Sequence, residues 1–530
     1  MKKIVLLVLL VIGFISAQVD TAWTRRYNGP GNNYDIAYAI AVDSSGNVYV
    51  TGYSYGSGTS ADYTTIKYNA NGDTQWVRRY NGPGNDWDRT FAIAVDGQSN
   101  VYVTGESYSS STNNDYATVK YNSAGVEQWV RRYSGPGNNY DAAYAIAVDS
   151  SGNVYVTGYF YSPTSSYDYA TIKYNSAGET LWVRKYNDLD NNNDQAISLA
   201  LDGQGNVYVT GYSYGPTTSY DYTTIKYNLA GDTAWVRRYN GPGNTDDQPY
   251  AIAVDGQDNI YVTGSSSNDY ATVKYDSAGV QEWVQTYDGP GNSNDRATSL
   301  AVNGQGNVYV TGLSGGSGTY SDYATIKYNS TGVQQWVQRY DGPGNYYDNA
   351  NAIALDGSGN VYVTGYSNGS TTNEDYATIK YNSTGVQQWI QRYNGPGIDI
   401  DEANAIAVDG SGNVYVTGNS RTGGYDDYLT IKYVQTGAIQ ENRGPLTTNY
   451  TSLDIFPNPA KTFFNVRSTL NTQGSKLRIF DVSGKEIRSL KFDVASAPST
   501  LRVPLNGIKN GVYFVKVGDE MIKEKLVVTR

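Results

Sequence analysis

The chain has no cysteine and no histidine, which excludes disulfide scaffolds, thiolate metal sites, lipid attachment through a cysteine and imidazole acid–base chemistry. Methionine is nearly absent too, at 2 of 530 residues. Beyond the first fifteen residues no stretch is apolar enough to cross a bilayer as a helix, which takes about 20 residues. Positive charge is scarce over most of the length, residues 18–450 carrying 24 Lys+Arg against 43 Asp+Glu. A surface of that sign repels phosphate backbones, so no nucleic acid partner is expected, and cations or basic surfaces are favoured. What is abundant is Tyr (53) and Gly (58), set among Thr and Val, a mixture of strand and turn formers. The composition predicts a large all-β protein.

Residues 1–17 have the layout of a secretory signal peptide: Lys2 and Lys3, an apolar run from Ile4 to Ile15, then Ser16-Ala17-Gln18. Cleavage is expected after Ala17, with no membrane span left in the mature chain.

The sequence repeats itself at a fixed period. Trp recurs at Trp23, Trp76, Trp129, Trp182, Trp235, Trp283, Trp336 and Trp389, at intervals of 53 residues except for a single interval of 48. Only Trp87 stands outside the series. A Tyr-Val-Thr-Gly block keeps the same period, from Gly52 to Gly418, so eight tandem units fill residues 21–440. Each holds four short alternating runs separated by turn signals, the strand count of a propeller blade. In the first unit, Ala39–Val42 and Val48–Thr51 flank the turn Asp43-Ser44-Ser45-Gly46-Asn47. A second hairpin follows, with Thr64–Tyr68 and Thr74–Arg78 around Asn69-Ala70-Asn71-Gly72. Trp23 to Tyr27 is an outer-strand sequence with no inner strands before it, and the last unit has Glu441 where a Trp is expected. The N-terminal strand is therefore expected to complete the last blade and close an eight-bladed ring.

The pattern Ala-Ile-Ala-Val-Asp-x-x-Gly-Asn-Val-Tyr-Val-Thr-Gly, then Asp-Tyr-x-Thr-Ile-Lys-Tyr-Asn and Trp, resembles the bacterial seven-bladed β-propeller repeat family. The resemblance covers about four fifths of the chain, and the chain departs from the family's name in copy number.

After a polar linker (441–450) the period stops and the charge changes sign, residues 451–530 holding 13 Lys+Arg against 7 Asp+Glu. Short alternating runs broken by Pro, Gly and Asn predict a separate, small Ig-like β-sandwich. Its landmarks are Pro457-Asn458-Pro459, Gly484 in Asp-Val-Ser-Gly-Lys, Gly511 and Tyr513 in Asn-Gly-Val-Tyr, and Lys525-Leu526-Val527-Val528. Together they resemble the type A C-terminal sorting domain of the type IX secretion system. The resemblance implies that this domain is an address: it engages the outer-membrane secretion machinery and leaves the cargo secreted or on the outer cell surface.

Three residue rings follow from the repeat. One Asp precedes each first strand (Asp35 to Asp401) and another each third strand (Asp62 to Asp427), both expected on one face of the disc. Such carboxylates can cap backbone N–H groups or bind Ca²⁺, and capping fits better a feature present in every copy. A Lys ring (Lys67 to Lys432) is expected near the opposite face, paired with the hairpin-turn carboxylates Asp43 to Asp409. The fourth unit alone replaces the Gly-Pro-Gly loop by Asp188-Leu189-Asp190-Asn191-Asn192-Asn193-Asp194. Asp188, Asp190, Asn192 and Asp194 offer alternate oxygens for a hard cation, which makes Ca²⁺ the one candidate cofactor. Loops between second and third strands vary in length and carry Tyr53, Tyr55, Tyr108, Tyr159, Tyr161, Tyr212 and Tyr214, a Tyr/Ser/Gly mixture suited to ligand binding.

No histidine is available as a general base, no phosphate-binding loop is present, and near-identical blades offer no obvious single reaction centre, so no catalytic residue is assigned. The expected function is a secreted or surface-displayed propeller that binds a glycan or protein ligand. The alternative is a secreted carboxylate- or metal-dependent hydrolase or lyase.

Overall fold

Each repeat is folded by its turns. In the computed structural model Asp43 Oδ1 accepts the backbone N–H groups of Ser45 and Asn47, both at 2.9 Å, and Gly46 takes the left-handed conformation (φ 75°) that closes the hairpin. Asn69 repeats the device, its Oδ1 accepting from Asn71 and Asp73 at 3.0 and 2.8 Å before Gly72 (φ 83°). The structure describes residues 18–436, apart from 189–190, 216–217 and 398, and 453–456, 463–468, 475–481, 485–492, 499–517 and 523–528.

The first strand, β1 (Gln18–Tyr27), precedes the first complete blade, which consists of β2 (Asp35–Val42), β3 (Val48–Tyr55), β4 (Ala61–Tyr68) and β5 (Thr74–Tyr80) in antiparallel order. Six further blades repeat this order over 88–133, 142–186, 194–239, 247–287, 296–340 and 348–393. The eighth takes three strands from 401–436, and its outer strand is β1, paired antiparallel with Tyr425–Thr436. The ring is closed as the repeat pattern requires, with eight blades. No helix occurs among the described residues.

The core lies between successive blades. Tyr49, Tyr63 and Trp76 of the first blade pack on Val101, Val103, Ala117, Val119 and Tyr121 of the second. The closing junction uses the same set: Trp23, Tyr415 and Tyr428 against Ala37, Val48, Val50, Ile66 and Tyr68. Polar latches cross each seam. Tyr63 donates from its hydroxyl to the Ala117 carbonyl (3.1 Å), and Trp76 Nε1 donates to that of Ser123 (3.3 Å). Gly52 explains its recurrence: a Cβ there would sit 1.9 Å from the Ile36 carbonyl oxygen, and the seven equivalents meet the same obstacle at 1.9–2.0 Å.

Residues 440–530 form a second compact unit with two antiparallel sheets, of three and four strands. Leu477, Ile479, Val503, Leu505, Ile508 and Val515 are buried in it. Gly511 opens the strand Gly511–Val517, and Tyr513 is buried with its hydroxyl donating to the Lys509 carbonyl at 3.0 Å. Pro457, Asn458, Pro459 and Gly484 lie outside the described residues, as do the expected signal peptide and Glu441.

Candidate binding face

Asp35, Ser54 and Asp62 lie side by side across the first blade in one register row, so the two Asp rings share an edge of the disc. The first ring caps backbone. Asp35 Oδ2 accepts the N–H of Gly29 at 2.5 Å and Oδ1 that of Tyr55 at 3.1 Å. Burial raises these carboxyls, Asp88 and Asp348 to about 6 and Asp141 to about 7, although the same amides favour the charged form.

The second ring is matched by a cation that the repeat pattern had not singled out. In six blades an Arg two residues after the outer-strand Val or its equivalent pairs with the ring Asp, at 2.7–2.8 Å in five of them and 3.1 Å for Arg26 and Asp427. Arg79 shows the full arrangement, reaching Asp62 Oδ2 (2.8 Å), the Ser54 carbonyl (2.6 Å) and Ser54 Oγ (2.7 Å). The third blade has Lys185 in this position, with its ammonium 4.6 Å from the Phe160 ring centre. The fifth has Thr286.

The expected Lys–Asp pairing on the opposite face is replaced by a different arrangement. Lys67 Nζ donates to the Ser123 carbonyl at 3.0 Å and stands 5.2 Å from the Tyr49 ring centre, a cation–π contact repeated in all eight blades. Asp43 is engaged by the Asn47 amide (2.8 Å), the Tyr49 hydroxyl (2.9 Å) and Ser99 (2.9 Å) instead.

The acidic loop of the fourth blade is drawn inward. The Asp188 carboxylate pairs with Arg238, and its N–H donates to Asp194 Oδ2 at 2.8 Å. Asn192 is exposed, Asp194 buried, and Asp190 lies outside the described residues.

The blades differ most where the first strands line the central opening. These strands touch one another in succession all the way round, the eighth against the first. Each carries an unpaired residue at a register shift, which in the first three blades is Tyr38, Phe91 and Tyr144. Ring contacts run unbroken from Tyr55 through Trp87, Tyr53, Tyr38, Phe91, Tyr144 and Tyr159 to Tyr167 and Tyr161, at centroid separations of 4.9–6.3 Å. Tyr212 and Tyr214 meet Tyr220 in the fourth blade. In the sixth to eighth blades the same inner position holds Thr298, Asn351 and Asn404, which donate to carbonyls of the next blade.

Of the loop tyrosines singled out from sequence, Tyr53 is buried and Tyr55, Tyr108, Tyr159, Tyr161, Tyr212 and Tyr214 are half-buried at strand ends. The exposed rings are others: Tyr34, Trp87, Tyr140, Tyr320, Tyr346, Tyr347 and Tyr425. Trp87 and Tyr140 border a cleft of about 330 Å³ with Asp86, Arg89, Tyr108, Asn113 and Asn114. Arg89 stacks over Trp87 at 5.3 Å and is held by Glu106, its Nε donating to Oε1 at 2.7 Å. The signal available in sequence was the residue just before each first-ring Asp, aromatic in Tyr34, Trp87, Tyr140 and Tyr347 alone.

Next to the aromatic arc, in the seventh and eighth blades, of which the eighth adjoins the first, stand Glu374, Glu402, Arg421 and Asp426. Burial, with the charges of Glu374 and Asp426, pushes Glu402 up to about 7. A carboxyl raised this far beside a second carboxyl can exchange a proton near neutral pH.

Two protein families match the chain. A β-propeller repeat matches residues 22–58, 75–111, 128–159, 182–216, 234–271, 335–370 and 388–425, and a secretion system C-terminal sorting domain matches 454–529. An uncharacterised WD repeat-containing protein of Acanthamoeba polyphaga mimivirus is 24% identical over 548 aligned positions, covering 82% of this chain and 36% of the relative. The chain thus spans about a third of the length of the curated relative it matches. Among solved structures, U3-55K aligns at 10% identity over 64% of this chain and 94% of its own, with TM-score 0.41. PorZ, a surface component of the type IX secretion system of Porphyromonas gingivalis, aligns at 14% identity over 93% and 74%, with TM-score 0.29.

Proposed function

We propose that this chain, which belongs to the β-propeller repeat proteins and carries the C-terminal sorting domain that marks export by type IX secretion to the cell surface or extracellular space, is a saccharide-binding module. The observation that carries the reading is the break in symmetry on the Asp-ring face. A continuous arc of aromatic rings occupies three of eight blades and opens at the cleft of Trp87, Arg89, Tyr108 and Tyr140. A sugar ring presents apolar C–H faces and polar edges. Trp87 and Tyr140 supply flat apolar surface for the former, while Asn113, Asn114, Asp86 and Arg89 supply donors and acceptors for the latter. The rings cost little conformational entropy to present because neighbours already hold them: Trp87 touches Tyr53, Tyr55 and Arg89.

The test is a glycan array with the full mature chain, followed by calorimetry on the best hit with Trp87→Ala and Tyr140→Ala. Both positions are exposed, so the variants should keep the wild-type melting temperature and lose affinity roughly tenfold or more, as expected for truncating an aromatic anchor. Binding that survives both substitutions would move the ligand elsewhere.

A second reading, hydrolysis, is favoured by Glu374 and Glu402. Glycoside cleavage uses a pair of carboxyls, one of which gives a proton, and burial raises both of these. Product formation from a bound oligosaccharide that stops in Glu402→Gln would establish it, whereas binding without turnover would leave a pure binding module.

A further inference from the structure

Three connections build the cleft at Trp87: the one that leads into the second blade, that blade's own connection between second and third strands, and the one that leads into the third blade. The sixth blade forms a cleft of about 430 Å³ from the same three, with Asn294 from the first, Thr319 and Tyr320 from the second and Tyr347 from the third. The positions match residue for residue. Asn294 and Trp87 directly precede a first-ring Asp (Asp295, Asp88), as do Tyr347 and Tyr140 (Asp348, Asp141). Tyr320 and Asn113 each stand two residues before a second-ring Asp (Asp322, Asp115). First strands touch in succession round the ring, so the second and sixth of eight blades lie half a turn apart.

The aromatic surface here is exposed and already packed. Tyr320, Tyr346 and Tyr347 are 53%, 43% and 42% exposed, yet their ring centres lie 4.3–4.9 Å from one another. A solvent-facing cluster of large rings marks an interaction site rather than a core, and rings that fix each other cost little side-chain entropy to present. The repeat itself does not require them. Ser60 and Ser219 hold the position of Tyr320 in the first and fourth blades, and Asn193 and Asn294 hold that of Tyr347 before the fourth and sixth. The polar wall is also held in place: Ser321 Oγ donates to Asn349 Oδ1 at 2.9 Å, and the Asn349 amide donates to the Tyr366 hydroxyl. Ser293 and Asn294, which line the cleft as well, are exposed. No charged side chain lines it, whereas Asp86 and Arg89 line the cleft at Trp87.

We propose that the cleft of Tyr320 and Tyr347 is a second saccharide site, one that takes a neutral sugar, so that a single propeller carries two such sites half a turn apart on its Asp-ring face. Tyr320 and Tyr347 offer flat surface to the C–H face of a sugar ring, and Ser293 and Asn294 offer a hydroxyl and an amide to its hydroxyl edge. With no cation in the wall, an acidic sugar would leave its carboxylate without a counter-charge, which selects a neutral one. The ligand class rests on the saccharide reading of the Trp87 cleft. The site itself rests on the matched connections, the exposed rings and the cavity between them.

The experiment is calorimetric titration of the full mature chain with neutral trisaccharides, namely cellotriose, mannotriose, galactotriose and chitotriose, alongside Trp87→Ala and the double variant Tyr320→Ser, Tyr347→Asn. The paired substitutions install residues that other blades already hold, and melting temperatures confirm that the variants fold. For at least one trisaccharide the tyrosine variant should hold one molecule fewer per chain than wild type, affinity at that site falling roughly tenfold or more, and Trp87→Ala should keep that molecule. Equal number and affinity in wild type and the tyrosine variant would overturn the proposal, as would one and the same molecule lost in both variants. Loss in Trp87→Ala alone would overturn it too and leave the Trp87 cleft as the saccharide site. Loss in the tyrosine variant alone would uphold this site and refute the other. No trisaccharide bound at roughly millimolar concentration would overturn both.

Discussion

Substituting Arg132 by Ala tests whether the ring of arginines stabilises the blades. Its guanidinium donates to Asp115 Oδ2 (2.7 Å), to the Ser107 carbonyl (2.8 Å) and Oγ, and to the Tyr80 hydroxyl of the preceding blade (3.3 Å). Asp115 is 4% exposed and its Oδ1 already lacks a partner. Without Arg132 the carboxylate keeps only the Thr112 hydroxyl (2.7 Å). Removing one member of a buried pair costs about 3–5 kcal/mol, and exposure of 23% of the Arg132 side chain allows solvent screening that brings the expectation to about 2–3 kcal/mol. Asp115→Asn should cost less, about 1 kcal/mol, because the arginine retains Ser107 and water. In the double variant no charge is stranded, so the two losses should overlap by roughly 1–2 kcal/mol. A propeller of this size need not unfold in one step, so the readout is amide hydrogen exchange of the second blade. A loss of 2–3 kcal/mol corresponds to about 30–150-fold faster exchange there. Unchanged exchange in Arg132→Ala, or fully additive single variants, would show that the arginine ring does not stabilise the blades.

Two further outcomes follow from the same geometry. Gly125 has φ 78° and an added Cβ would lie 2.8 Å from the Trp76 ring, so Gly125→Ala should lose about 2 kcal/mol or more and lower the melting temperature measurably. Glu402 sits at about 7 in the folded chain, above the ordinary glutamate value, so the folded state binds the extra proton between the two values. The stability it contributes is full below the unfolded value near 4.5 and is lost as pH rises through 7, and Glu402→Gln should remove that slope from a melting-temperature profile between pH 4 and 8.

The architecture was legible because it is written in period and turn chemistry. Trp spacing, Asp43 and Asn69 before left-handed glycines, and a lone outer strand at Trp23 specify eight blades and their closure without reference to distant contacts. Capping by Asp35 and its equivalents followed for the same reason, since it acts on neighbouring backbone. The Lys ring was misplaced in partnership because its carbonyl acceptor lies 56 residues away in the next blade, and a carboxylate nearer in sequence looked the better match. The Arg ring went unnoticed although it recurs, because its role depends on a register row across strands one to three that the arginine of strand four, paired with the residue two beyond the Asp, reaches from the side. Trp87 was set aside as irregular, yet its irregularity marks the cleft. The proposed function rests on departures from the repeat, at Trp87 and Glu402, and a search for regularity passes over them.

The Asp-ring face, through its aromatic arc, is the proposed saccharide site. The most direct measurement is affinity of the full mature chain for the best ligand from a glycan array, compared between wild type and Trp87→Ala with melting temperatures matched. Saturable binding that falls roughly tenfold or more in the variant is expected. No glycan bound by the wild type, or equal affinity in the two proteins, would contradict it.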